Sequence, residues 1–105
     1  MFGMFGKLTA QPGRRDALLG ILLDASRGVA QLEGCRLYVI NTAPDDPDSV
    51  WVYEAWDTKE AHASSLQLDE TRAAIQRALP LLAGPPDGGI TLTPVGGLGL
   101  DVAAG

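Results

Sequence analysis

Three side chains in one short stretch can do chemistry together: Glu54, Trp56 and His62, in the run Tyr53-Glu54-Ala55-Trp56-Asp57-Thr58-Lys59-Glu60-Ala61-His62. An imidazole can take up a proton near neutral pH, so it suits removal of a phenolic proton. An indole presents a flat face on which an aromatic ring can stack, and a carboxylate can orient either partner. Alternate strand residues share a face, so Glu54 and Trp56 lie side by side if this stretch ends a strand. If a helix follows, His62 sits one turn into it, and the three groups converge on the space between sheet and helices. Each also has a plainer explanation. A tryptophan in a strand fits a core, a strand glutamate fits an ion pair with Arg36, Lys7 or Lys59, and a lone helical histidine fits the surface. Tyr38 and Asn41 on the neighbouring strand are further polar candidates for a pocket wall, although packing and turn capping account for them equally well.

Other chemistries have little to stand on. The sequence holds a single histidine and a single cysteine, too few for the usual zinc or disulfide frameworks. Cys35, beside an apolar strand, reads as a small core residue rather than a nucleophile. No Gly-rich phosphate loop ending in Lys-Ser or Lys-Thr is present, and no serine occupies a Gly-x-Ser-x-Gly elbow. Asp45, Asp46 and Asp48 read as a solvated loop with at most weak affinity for a cation. A net charge of −5 opposes binding to a phosphate backbone, so no nucleic-acid partner is expected. No apolar run approaches the roughly 20 residues of a membrane span, and Met1–Lys7 lacks the pattern of a secretory leader. A cytoplasmic protein with no membrane partner is the expectation.

The elements that must position these groups follow from periodicity. Phe2–Ala10 reads as a strand closed by Gln11-Pro12-Gly13. From Arg14 to about Leu32, residues Leu18, Ile21, Leu22, Ala25 and Val29 recur at helical spacing, and Gly34 supplies the stop. Cys35–Thr42 and Val50–Trp56 are strands, joined by an exposed loop over Ala43–Ser49. A helix starts at Thr58 or Asp57 and runs to about Ala83. It breaks near Gln67–Asp69, where Asp69 can cap a second piece; Ile75, Leu79 and Leu82 form its buried edge, and Pro80 bends its end. Ile90–Thr93 is a last short strand. The order β-α-β-β-α-β is that of a ferredoxin-like α+β domain with a four-stranded antiparallel sheet over residues 1–94, followed by a Gly/Ala-rich tail over residues 95–105. Both faces of the central strands are apolar: Leu37 and Val39 oppose Tyr38 and Ile40, and Trp51 and Tyr53 oppose Val50 and Val52. Two helices cover one face only, so a homodimer packed sheet on sheet is expected to cover the other.

The segment Glu33-Gly34-Cys35-Arg36-Leu37-Tyr38, the Pro/Asp-rich connection, and Glu54-x-Trp56-x-Thr58-Lys59-Glu60-Ala61-His62 together resemble the antibiotic biosynthesis monooxygenase (ABM) domain family, which includes small quinol monooxygenases. The similarity runs from Phe2 to about Thr93. It implies a dimeric α+β barrel that oxygenates phenolic, quinol or polycyclic aromatic molecules with dioxygen, using no metal and no cofactor. In that reading His62 is the base, Trp56 the wall, and Glu54 an orienting group, with Tyr38, Asn41 and Trp56 as substrate contacts. Two departures matter. Many members carry a histidine nine residues after the tryptophan, where this chain has Ser65, and haem-degrading relatives use an asparagine from the first strand, which Phe2–Thr9 lacks. Two other uses of such a pocket stay open: a non-catalytic dimeric domain that binds a small ligand or serves in a stress response, and a cofactor-free isomerase, cyclase or decarboxylase.

Overall fold

The computed structural model describes residues 1–100; the last five residues of the expected tail lie outside the described residues. The order is β1 (Phe2–Thr9), α1 (Arg15–Val29), β2 (Cys35–Ala43), β3 (Asp46–Trp56), α2 (Lys59–Ser65), α3 (Asp69–Ala78), a 3-10 turn (Leu79–Leu81) and β4 (Asp87–Leu92). Among the described residues the strands form one four-stranded antiparallel sheet in the order β2-β3-β1-β4. This is the ferredoxin-like arrangement, with the second helical region split in two.

Strand alternation sorts the side chains. Leu8, Tyr38, Ile40, Val50 and Val52 meet Leu18, Leu19 and Leu22 of α1, Ala78 at the end of α3, and Leu81 and Leu82 beyond it. Leu18 and Val50 are wholly buried at the centre of this core. The opposite face carries Phe5, Trp51 and Tyr53, whose rings contact one another at centroid distances of 5.7 and 6.3 Å. Lys7 Nζ sits 5.2 Å above the Trp51 ring. Val39, Ile90 and Leu92 on this face are exposed.

The helical end of the core is stitched to β1. Backbone N–H groups of Gln11 and Ala83 donate to Leu81 O and Thr9 O, each at 2.8 Å. The Gln11 side chain donates to Pro80 O at 3.2 Å. These bonds satisfy backbone groups that Pro80 strands when it ends the α-helix.

Several boundaries differ from the periodicity. β3 starts at Asp46, so the expected loop contracts to a tight turn at Pro44-Asp45. The cause lies in Asp46, whose carboxylate accepts from Ser49 Oγ at 2.7 Å and Asp48 N at 3.3 Å and lies 3.5 Å from Lys7 Nζ. Thr58, not Asp57, caps α2, its hydroxyl accepting from Ala61 N at 3.0 Å. Asp57 pairs instead with Arg36 at 2.5 and 3.3 Å. Asp69 is the first residue of α3 rather than its cap; Leu68 occupies the cap position without a side-chain bond. The buried residue of α3 is Ala74, while Ile75 and Leu79 are exposed. Beyond β4, Pro94 lies beside Gly3, where an added Cβ would come within 3.1 Å of its ring, and Val95 and Leu98 are fully exposed.

Leu18→Ala is expected to lose about 2–5 kcal/mol of unfolding free energy, because it removes a fully enclosed side chain at the contact of α1 with the sheet. Urea denaturation followed by circular dichroism measures it; a loss below about 1 kcal/mol would show that this contact does not organise the core.

Candidate functional site

The helices stand off from one end of the sheet and leave a cavity of about 330 Å³ between β2, β3, α1, α2 and α3. Its floor is built by the strand register. Tyr38 and Met4 flank Glu54 as cross-strand partners, and Cys35 and Phe2 flank Trp56. The β2 strand carries a bulge between Cys35 and Leu37.

Glu54, Trp56, His62 and Tyr38 all line the cavity. The Trp56 indole N–H donates to Glu54 Oε1 at 3.1 Å, which fixes the carboxylate against the indole edge. His62 Nε2 lies 3.7 Å from the same oxygen, beyond a hydrogen bond but close enough to hold the ring by charge when protonated. The His62 ring stands at 68° to Trp56, 5.7 Å between centroids, and Phe2 lies 5.4 Å away on its other flank. Trp56 is 1% exposed, and the Glu54 and His62 side chains are 17% and 15% exposed. A carboxylate in so enclosed a place costs free energy unless its lone pairs are used; the indole N–H uses one of them, and His62 adds an opposite charge nearby when protonated.

Tyr38 holds its proton more tightly than an ordinary phenol. Burial is the largest cause, followed by the Glu54 carboxylate and Cys35. It therefore presents a neutral hydroxyl that can donate to a ligand oxygen. Burial, reinforced by Glu54, also raises the Cys35 thiol, which works against a nucleophilic thiolate.

Asn41 is not brought to the cavity. It is three positions from Tyr38 on the same strand, so its side chain takes the opposite face, where it is exposed and donates to Trp51 O at 3.2 Å. Phe2 packs against His62 from β1, a contact that the sequence reading missed because it depends on the β1–β3 register. Ser65 also lines the cavity, 6% exposed, and donates to His62 O at 2.6 Å. His62 and Ser65 are one turn apart on α2 and border the same space. Gly34, just before β2, has φ +92°, and a Cβ there would come within 3.0 Å of Ala61 Cβ. The Gly-Cys step thus lets α2 approach β2 and carry His62 over the floor. Among the described residues no group of three His, Cys, Asp or Glu side chains is arranged to hold a metal ion, and no helix is long and apolar enough to cross a membrane.

Fold and cavity together define a ferredoxin-like α+β domain with a largely aliphatic pocket whose floor carries Tyr38, Glu54, Trp56 and His62. Residues 1–77 match the family model for antibiotic biosynthesis monooxygenase, and the chain belongs to that family. The match contains every floor residue named above. A crystal structure from Chloroflexus aurantiacus J-10-fl, described as a candidate antibiotic biosynthesis monooxygenase, is 41% identical with a TM-score of 0.84, covering 94% of this chain and 97% of that one. Structures with similar descriptions from Caulobacter crescentus CB15 (24% identity, TM-score 0.81, 90% of each chain) and Deinococcus radiodurans (21%, 0.80, 93% of this chain and 96% of that one) share the fold. Among curated proteins none matches the chain.

The raised Tyr38 pKa fixes a sign for stability. The unfolded chain ionises this phenol near pH 10 while the folded chain keeps it protonated; the unfolded state then binds fewer protons, and stability falls as pH rises from about 10. The stability of the wild type relative to Tyr38→Phe is expected to decline over that range in paired urea titrations. A pH-independent difference would show that the phenol is not held neutral by its surroundings.

Proposed function

We propose that this protein is a cofactor-independent monooxygenase that oxidises a phenolic or quinol-like aromatic molecule with dioxygen in the cavity floored by Glu54, Trp56 and Tyr38. The observation that carries the reading is the convergence of an imidazole, a carboxylate and an indole on one enclosed space. The flat ring of the substrate sits between Tyr38 and His62, with the buried Trp56 as backing behind them, and Tyr38 donates to a ring oxygen. His62 takes the phenolic proton, and the imidazolium formed is stabilised by Glu54 at 3.7 Å. Glu54 is itself oriented by the Trp56 N–H, so it serves as a positioning group.

The electron-rich anion passes one electron to dioxygen. The resulting superoxide and substrate radical combine at a ring carbon to form a C–O bond. Loss of water, taking one dioxygen atom and two hydrogens from the substrate, leaves a new carbonyl. The enclosed walls keep bulk water from the anion, so charge stabilisation comes from fixed protein groups.

The same reading includes a homodimer. Phe5, Trp51 and Tyr53 cluster on the sheet face away from the helices, beside exposed Val39, Ile90 and Leu92. Trp51 Nε1 is buried there without a hydrogen-bond partner. A second copy packed against this face removes the apolar surface from water, and its polar groups can supply an acceptor for the indole.

Oxygen uptake is the test of catalysis. Metal-free protein should consume dioxygen with an anthrone or a naphthalene-diol, and His62→Ala should slow it by about 10²-fold or more, the usual contribution of a positioned base. Equal rates in the variant would remove His62 from the mechanism; binding of the compounds without turnover would leave a ligand-binding domain.

For the assembly, sedimentation of the wild type should give twice the chain mass, and Val39→Glu should shift it toward one. A wild type that stays monomeric at micromolar concentration contradicts the sheet-on-sheet pairing.

A further inference from the structure

We propose that the ligand of this cavity is a neutral amphiphile, a phenolic ring bearing an aliphatic chain of several carbons, with the ring at the floor beside Tyr38, Glu54 and His62 and the chain running out between α2 and α3. The inference rests on the reading of the floor as a site for a phenolic ring and adds what lies at the other end of the cavity.

The lining changes character along its length. Around the floor, Trp56, Ser65 and Ala74 are 1%, 6% and 8% exposed. At the mouth, Leu66, Leu68, Ile75 and Leu79 line the same cavity, yet they are 41%, 39%, 44% and 53% exposed. Leu66 and Leu68 come from the α2–α3 connection. Ile75 and Leu79 stand four residues apart and so share one helical stripe. Large apolar side chains are left half in water on two sides of one opening, and a contiguous exposed patch of this kind marks a binding surface.

Size decides what fits. A cavity of about 150 Å³ lined by apolar side chains is enough for one benzene ring. The cavity here, at about 330 Å³, takes a ring on its floor with room for carbons beyond it. A compact polycycle would be enclosed by the inner walls and leave the leucines of the mouth uncovered. A chain covers them. Charge selects as well: the ionisable side chains that share the lining with His62 are Asp24, Glu54 and Glu70 against Arg77. A carboxylate or phosphate on the chain would meet net repulsion, whereas an uncharged chain meets apolar surface.

Calorimetric titration of the full chain with 4-alkylphenols from methyl to heptyl, alongside heptan-1-ol and heptanoate, tests this without requiring turnover. Each added methylene is expected to tighten binding about two- to three-fold, somewhat less than complete burial gives. 4-Heptylphenol should bind at least ten-fold more tightly than heptan-1-ol, and heptanoate more weakly than either. The double variant Ile75→Gln/Leu79→Gln, whose sites are on the helix surface, should flatten the heptyl-to-methyl affinity ratio to less than one third of the wild-type ratio, with helicity checked by circular dichroism. Affinity independent of chain length, a ratio unchanged in the variant, or no binding by any member of the series overturns the proposal. So does a loss of dimer mass in the variant, since the mouth would then be an interface between copies. A preserved chain-length series in which a bound alkylhydroquinone of the same chain length gives no enzyme-dependent oxygen uptake would instead overturn only the oxygenase reading.

Discussion

Alternation along β3 is the constraint on which the rest of the molecule depends, because this strand lies inside the sheet and its two faces are given opposite tasks. Val50 and Val52 enter the core under the helices, followed on the same face by Glu54 and Trp56 under the cavity. Trp51 and Tyr53 go to the other face with Phe5. A slip of one residue would exchange the two sets entirely. It would put the carboxylate on the open face and Trp51 under α1, and no adjustment of the helices could restore the pocket.

Given that register, the polar groups of the floor hold one another in place. The Glu54 carboxylate lies in an enclosed site where an unpaired charge would be costly. The indole N–H of the next residue on its face takes one side of it, and His62 approaches the same oxygen from α2. Three single residues that would each be unremarkable become one arrangement, in which the Trp56–Glu54 bond fixes the carboxylate that His62 faces. Gly34 matters for the same reason: without a Cβ it allows the start of α2 to come close to the chain entering β2, and that approach sets where the imidazole stands.

Ser65 borders the cavity but turns its hydroxyl back to the helix, donating to His62 O. The imidazole of the lining lies one turn earlier, on His62. It stands 5.4 Å from the Phe2 ring and 3.7 Å from Glu54 Oε1, while β1 reaches the lining through Leu8. Leu66, Leu68, Ile75 and Leu79 of the lining are far more exposed than Trp56 and Ser65 at its floor.

The sequence by itself determined the order of the elements, the break between α2 and α3, and the pairing of Glu54 with Trp56 on one strand face. These are consequences of local geometry: two-residue alternation in strands, recurrence every three or four residues in helices, and the turn chemistry of Gly and Pro. Tertiary structure alone decided which apolar face the helices cover, and with it that Tyr38 enters the pocket while Asn41 faces away. It also decided that Phe2 meets His62, that Asp46 tightens the β2–β3 turn through Ser49, and that Ile75 and Leu79 stay half in water. Each of those outcomes is set by residues distant in the chain, through strand register and helix docking, and a local pattern carries no record of either.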